Sequence, residues 1–528
     1  MKTLRLDGQS LTLEALAPLA LAGERGAQLR LTVDRGALDG VREARAMVDG
    51  KVAAGEVVYG LTTGFGRLKN VAIADEDLEE LQRNLILSHC CGVGEPLQVA
   101  EVRLAQVLRL NGLLRGHSGV RTQTVKKLVR LFNAGFVPVV PSQGSVGASG
   151  DLAPLSHMAA AYMGQGEAVL LTDRPGKVRT AKAALKAVGE EPLVLGAKEG
   201  LALINGTEIM KAVGVAVLLR AENISRAADA VASLTVEALQ GSVRPFDERL
   251  AELKGADNNE ELDSRSGHRR TAANLRACLA DSEIITSHLD CDRVQDPYSL
   301  RCVPQVHGAF KTALSHVRCI LAGEINAVTD NPLLFPETDE VISAGQFHGQ
   351  PISMVMDYLG LALCTLANIS ERRVEQLVNP DLSGLPPFLT RDAGLNSGMM
   401  IAQVAAAALA SENKILAHPA SVDTIPTSAC QEDHVSMGTI AARKARSILD
   451  NVEHVLAIEW LCATQGLELR TDLAPGGGAE AIRQRLREDV RPLRKDRYLH
   501  NDMRKARELL RNGELVCAAE AAVGPLAP

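Results

Sequence analysis

Aromatic side chains are scarce in this chain: one Trp, five Tyr and eight Phe account for 3% of 528 residues, while hydrophobic residues as a whole account for 46%. A core drawn from that pool has to be aliphatic and alanine-rich rather than built on stacked rings. An excess of one charge is also lacking. The net charge is −7, with Lys and Arg dispersed among Asp and Glu, so no basic stripe offers a footprint for nucleic acid. The first residues carry Lys2, Arg5, Asp7 and Glu14 where a secretory signal needs an unbroken apolar segment, so a leader of that kind is not expected. No run of about 18 uncharged apolar residues occurs, and a membrane span is not expected either. The ten cysteines include no C-x-x-C pair, and Cys90 and Cys91 are adjacent. That pattern suits reduced thiols and a cytoplasmic protein better than a disulfide framework.

What is present is helical periodicity. Leu78, Leu81, Leu85 and Leu87 follow an acidic stretch suited to a helix N-terminus and precede Gly92, which places His89 in the last turn or the exit loop. Residues 101–115 and 122–133 read the same way and end at Gly116 and near Gly135. The segment FVPVVPSQGSVGASG then has to run extended before it loops, and a helix is expected to start near Asp151. One β signal is clear: AVLLTDRPGKVRT, with a turn at Arg174-Pro175-Gly176. Beyond residue 205, alanine- and leucine-rich stretches cover roughly 205–240, 304–328, 350–378, 396–417 and 430–465. Each is apolar around much of its circumference and has to be buried against its neighbours or against other subunits. The chain therefore reads as predominantly all-α: an α-rich region over 1–200, a central bundle of long helices over 201–475, and a charged helical tail over 476–528 after the Pro-Gly-Gly-Gly turn, with a minor β hairpin.

Within the first region, GSVGASGDLAP at 144–154 sets a glycine at every third position: Gly144, Gly147 and Gly150. Neither the P-loop pattern nor the Gly-x-Ser-x-Gly elbow is met, because no Lys-Ser/Thr pair follows and Gly150 directly succeeds Ser149. A flexible connection, an anion-binding nest and a backbone prepared for chemistry remain. The third has a mechanism. If the Gly150 nitrogen closes on the Ala148 carbonyl carbon, an imidazolone ring forms, and loss of water from the ring and from Ser149 leaves an exocyclic methylidene. That is an electrophile of a kind no natural side chain supplies.

ASGDLAPLSH resembles the self-cyclising motif of the histidine and aromatic amino acid ammonia-lyases and aminomutases. Five further segments match in order: YGLTTGFG at 59–66, LILSHCCGVGEPL at 85–97, LALINGTE at 201–208, VQDPYSLRCVPQV at 294–306 and ASENKILAHPASVDTIPTSACQEDHVSMG at 410–438. The similarity spans roughly residues 55–505. It implies a 4-methylideneimidazol-5-one group formed autocatalytically from Ala148, Ser149 and Gly150, and elimination of ammonia from an α-amino acid.

The resemblance also assigns roles. The methylidene takes either the substrate amine or the substrate ring as nucleophile. Tyr59 is the implied base for the β proton, and stabilising a phenol as phenolate near neutrality requires about 4 kcal/mol for a three-unit shift. Arg301 matches the carboxylate partner, whose planar fork can grip both oxygens. Asn205 and Tyr298 match positions near the substrate and the prosthetic group, Gln295 a polar support, and Phe347 an aromatic cover. His89 matches the position facing the substrate ring and is compatible with histidine or tyrosine. Glu412 matches a carboxylate suited to an imidazole and unsuited to a phenyl ring, which together with His89 points to L-histidine and trans-urocanate. A tyrosine or phenylalanine lyase, or a 2,3-aminomutase, is the alternative. Cys90, Gln346 and Cys430 depart from the family pattern. No metal is called for, since His418, Asp423, Glu432, Asp433 and His434 lack both the H-E-x-x-H spacing and a Cys/His ligand set. A homotetramer with active sites shared between subunits is implied as well.

Overall fold

Helices form where the periodicity places them, and their ends follow from local chemistry. In the computed structural model, which describes residues 2–22, 29–64, 73–253, 264–289, 291, 293–470 and 473–528, the acidic stretch before Leu78 leads into the helix Leu78–His89, with Glu79 and Glu80 in its first turn. Its buried positions are Leu78, Gln82, Leu85 and Ile86 rather than the leucine series alone. Gln82 is buried because its Oε1 accepts from the Gly200 and Leu201 amides at 2.9 and 3.3 Å. The helix Val99–Leu113 is buried on nearly every side, and Arg103, Gln106 and Arg109 each find at least one partner inside. Arg103 lies 3.5 Å over the Phe132 ring and donates to the Phe132 carbonyl at 2.9 Å.

The long apolar stretches are the helices Glu208–Ala238, Val303–Glu324, Gln350–Val378, Met400–Leu416 and Gly438–Arg470, and the tail holds Gly477–Asp489, His500–Arg511 and Glu514–Val523. The last of the five long helices starts eight residues later than the composition suggests. Ser428, Ala429 and Cys430 occupy the left-handed region at φ +49°, +53° and +64°, so the chain turns there instead of winding. Likewise the helix Glu208–Ala238 cannot include Gly206, whose φ is +151°. Among the described residues, Gln350–Val378 is the one helix long and apolar enough on average to cross a bilayer; 61% of its apolar window is buried inside the protein, as suits a core helix.

Four small sheets accompany the helices among the described residues. The hairpin expected at 168–180 is present as Glu167–Leu170 paired antiparallel with Val178–Thr180, and Phe136–Pro138 adds a third strand. Three further pairs were not visible in the sequence: Lys2–Leu6 parallel to Leu29–Val33, Val93–Pro96 against Pro141–Gln143, and Leu333–Phe335 against Glu340–Ile342. Strands this short carry too few residues for an alternating pattern to register.

The chain divides into two compact units. The first comprises Met1–Leu219, Cys319–Asp357 and Pro419–Arg443, the second Arg220–Arg318, Tyr358–His418 and Lys444–Pro528. In the first, Ala44, Val48, Leu61, Leu78, Ala197 and Leu334 form an aliphatic cluster, and Ala148, Val435 and Met437 another. In the second, charge is buried among the long helices. Arg373 pairs with Glu459, which also accepts from Thr235 and Ser370, and Asp229 accepts from His307, Lys311 and Asn274. These ions are tolerated in an apolar bundle because each is paired and hydrogen-bonded.

Candidate active site

The glycine-rich loop leaves the strand Pro141–Gln143 and is held on two sides. Gly144, Gly147 and Gly150 all have positive φ, at +113°, +71° and +73°. On one side, the Met437 amide donates to the Val146 carbonyl at 2.9 Å and the Ser436 hydroxyl to the Gly147 carbonyl at 3.1 Å. On the other, the Gly206 amide donates to the Ser149 carbonyl at 3.2 Å and the Asp151 amide to the Gly206 carbonyl at 2.6 Å. A Cβ on Gly150 would lie inside the Gly206 backbone, so glycine is required there by contact as well as by φ. Ala148 is buried against Val435 and Met437, whereas Ser149 is half-buried and reachable. A flexible connection is ruled out by this clamp.

Asp151 closes the loop in an unexpected way. It is the first residue before the helix Leu152–Tyr162, yet its carboxylate accepts from the Ile209 and Met210 amides at 3.0 and 2.9 Å and so caps the helix Glu208–Ala238 instead. Thr439 and Ser145 donate to its other oxygen. Full burial pushes its carboxyl up to about 6, against these hydrogen bonds, which favour the anion.

Of the remaining candidates of the first unit, His89 and Asn205 join this loop through short links. His89 ends the helix Leu78–His89, with Nδ1 3.0 Å from the Ser88 hydroxyl. Burial lowers its imidazole below the usual value of 6.5, opposed by the backbone of Leu85 and the charge of Glu432. Burial also pushes the neighbouring Cys90 thiol up to about 11, which keeps it protonated at neutral pH. Three residues past His89, the Gly92 amide donates to His157 Nε2 at 3.1 Å, and His157 stands on the helix that follows the loop. Tyr59 is half-buried in a turn fastened by Thr62, whose hydroxyl donates to the Glu56 carbonyl at 2.7 Å and accepts from the Val58 amide at 3.0 Å. Phe65 and Gly66 of the same motif lie outside the described residues. Asn205, 3% exposed, directs its amide nitrogen at the Asn331 carbonyl, 3.0 Å away, and at Asp330 Oδ1, 3.4 Å away. Phe347 is half-buried in the turn after Glu340–Ile342, while Gln346 beside it is exposed; Phe347 is not among the side chains packed on Ala148.

The second unit carries Gln295, Tyr298, Arg301 and Glu412. Tyr298 is 70% exposed and opens the short helix Tyr298–Arg301, whose Arg301 guanidinium sits 4.3 Å over the Tyr298 ring. The Arg301 Nε is buried without a partner, an orphan donor beside an exposed ring. Gln295 is exposed, and the segment is anchored next to it by Asp296, which accepts from the Ser242 amide at 2.6 Å. Glu412 is exposed on the helix Met400–Leu416. Helical spacing puts it on the same face as Ile401, Val404 and Ile415, which are 65%, 51% and 72% exposed.

Several residues that build the site escaped the sequence reading. Lys198 and Asp330 form a fully buried ion pair at 2.7 Å, and Arg109 donates to the Asn205 carbonyl at 3.0 Å while pairing with Glu208. Ser436 and Thr439 lie within or just after a matched segment, yet only the tertiary contacts give them a part in holding the loop.

The model of the family described as aromatic amino acid lyase matches residues 11–488. The chain is 51% identical over 521 residues to the histidine ammonia-lyase of Anaeromyxobacter sp. (strain K), covering 98% of this chain and 100% of that one. It is 49% identical over 518 residues to the histidine ammonia-lyase of Myxococcus xanthus (strain DK1622), covering 98% of each. Among solved structures, histidine ammonia-lyase from Trypanosoma cruzi superposes with a TM-score of 0.89 at 41% identity, covering 99% of this chain and 96% of that one. Tyrosine aminomutase from Streptomyces globisporus gives 0.91 at 35% identity, with both chains covered completely.

Proposed function

The chain belongs to the aromatic amino acid lyase family and is a carbon–nitrogen lyase, and from that premise we propose that it eliminates ammonia from L-histidine without oxidation to give trans-urocanate, the first step of histidine degradation. The observation that carries the proposal is the clamp on Ala148-Ser149-Gly150. A loop whose third residue can only be glycine, and whose serine stays reachable, suits cyclisation to 4-methylideneimidazol-5-one. That group, once formed, supplies the electrophile that turns the substrate amine into a leaving group or activates the ring.

The side chains do the rest. Arg301 takes the substrate carboxylate, for which its unpartnered Nε and planar fork are suited. Tyr59 removes the β proton as phenolate; the C–N bond electrons leave with nitrogen, and the double bond forms between the α and β carbons. Asn205, Gln295 and Tyr298 line the reacting end, and Phe347 covers it. His89, held neutral by burial, and Glu412 read the imidazole, the carboxylate accepting its N–H. The exposure of Gln295, Tyr298 and Glu412 supports a homotetramer in which neighbouring subunits complete each site. We place the enzyme in the cytoplasm, with no metal and no nucleic-acid or membrane partner.

The test is turnover of histidine, tyrosine and phenylalanine by the wild type and by Glu412→Gln. Urocanate is expected from histidine. The substitution is expected to cost roughly 10- to 150-fold in kcat/KM, which corresponds to a charged hydrogen bond of about 1.5–3 kcal/mol. Faster turnover of tyrosine than histidine, or formation of a β-amino acid, would reassign the enzyme to a tyrosine lyase or an aminomutase.

A further inference from the structure

The short helix Glu199–Ile204 has Lys198 at its N-terminal boundary and Asn205 at its C-terminal boundary, and both side chains meet Asp330, with Asn205 also reaching the Asn331 carbonyl. The Lys198 ammonium is completely buried and lies 2.7 Å from Asp330 Oδ2. Asp330 Oδ1 accepts from the Asn331 amide at 2.7 Å and faces the Asn205 amide nitrogen at 3.4 Å. The Asn331 carbonyl accepts from the same nitrogen at 3.0 Å, and the Asn331 side chain accepts from the Ala344 amide at 2.8 Å, in the turn that carries Phe347. The backbone of the helix is pinned separately, by Gln82 at Gly200 and Leu201 and by Arg109 at Ala202 and Asn205.

The chemistry of this cluster fixes an orientation. A carboxylate paired with an ammonium only accepts, and so does a backbone carbonyl. Both N–H bonds of Asn205 therefore turn toward Asp330 and Asn331, and among the described residues no donor occupies the Asn205 oxygen. The amide thus faces away from its anchors with its acceptor. A flipped amide would turn its oxygen toward the Asn331 carbonyl and Asp330 Oδ1, two acceptors. Lys198 Nζ, 2.7 Å from Asp330 Oδ2, holds the carboxylate in place so that its Oδ1 faces the Asn205 amide.

We propose that the buried Lys198–Asp330 pair is a positioning device that locks the Asn205 amide with its oxygen presented as an acceptor to an N–H donor of the substrate, of which the amino acid ammonium is the nearest class. The inference rests on the assignment of Asn205 to the substrate end of the site. Lys198 and Asp330 touch neither substrate nor prosthetic group, and act through Asn205.

A double-mutant cycle tests this. Two variants disturb the pair: Asp330→Asn, which keeps the size of the side chain, and Lys198→Met/Asp330→Leu, which removes both charges so that neither is left buried alone. Each is made with and without Asn205→Ala, and histidine turnover is expressed per cyclised chain from the mass of the peptide spanning 148–150. Both pair variants are expected to lose roughly 10²-fold in kcat/KM while still cyclising, the penalty of a misplaced contact. Adding Asn205→Ala is expected to cost nothing further. Wild-type kcat/KM in the pair variants, losses that multiply with that of Asn205→Ala, or a loss that vanishes once turnover is scaled to cyclised chain would each overturn the proposal. Wild-type turnover of Asn205→Ala alone would instead overturn the assignment of Asn205, and the two failures are distinguishable because that variant leaves the pair intact.

Discussion

Gly150 shows how much chemistry one position can hold. Its φ of +73° disfavours any side chain by about 1–2 kcal/mol, and the Gly206 backbone occupies the space a Cβ needs. Gly150→Ala is therefore expected to keep the loop open: the peptide containing residues 148–150 retains both waters by mass, and histidine turnover falls to background. Ser149→Ala tests the complementary half, because the ring can close but no hydroxyl is left to eliminate. Its expected outcome is a folded protein with an unchanged melting temperature and nearly no urocanate. Normal urocanate production by either variant would sink the cyclisation chemistry. Ser149, Asn205 and Glu412 could be singled out as candidates from the sequence because they sit inside contiguous motifs. Lys198 and Asp330 were not, since they are 132 residues apart and both lie outside the matched motifs. Asp151 was legible as a helix start, but its carboxylate serves a different helix, a choice set by which amides the fold brings within reach.

At the scale of the element, the long helices bury charge that their composition hides. The helix Gly438–Arg470 carries Glu459, paired with Arg373, and His454, which is half-buried. Desolvation, reinforced by Arg507, lowers the His454 imidazole from 6.5 to about 4. In the unfolded chain this ring takes up a proton as pH falls through 6.5, while in the folded chain it stays neutral until about 4. The unfolded state thus binds more protons across that window, and stability falls as pH drops from 6.5 to 4. With solvent screening of a half-exposed ring, the expected loss is about 1–2 kcal/mol. Denaturant melts of the wild type and His454→Gln between pH 4 and 7 should show a shallower slope in the variant; identical slopes would remove His454 as the cause. The long apolar helices were readable, because their spacing persists over many turns, whereas Arg35–Ala53 and Ser264–Cys278, which are more polar, were not singled out. Helix starts were less so: three left-handed residues at 428–430 and the left-handed Gly206 delay two helices, and backbone sign is not written in composition.

For the whole molecule, the exposed face of Met400–Leu416 is the informative surface. Ile401, Val404 and Ile415 lie on it with Glu412, and Leu395, just before the helix, is 87% exposed. Apolar side chains this open call for cover, and Glu412, the proposed reader of the imidazole, stands among them. Sedimentation is expected to find a tetramer at working concentrations, and Ile401→Asp/Ile415→Asp is expected to dissociate it with loss of urocanate formation. A fully active monomer would show that each chain completes its own site.

The sequence by itself determined that the chain is helical, that its core is aliphatic, and that it carries motifs of the aromatic amino acid lyase family, within which an Ala-Ser-Gly loop, a tyrosine, an arginine and a His/Glu pair are the candidates for one chemistry. Periodicity and contiguous motifs are local, and local patterns survive in a string of letters. Tertiary structure alone decided that the loop is clamped between Gly206 and Ser436, that Asp151 caps a distant helix, and that Lys198 and Asp330 meet behind Asn205. Those facts depend on which buried polar groups find partners, and burial leaves each of them only the partners that the fold brings into reach.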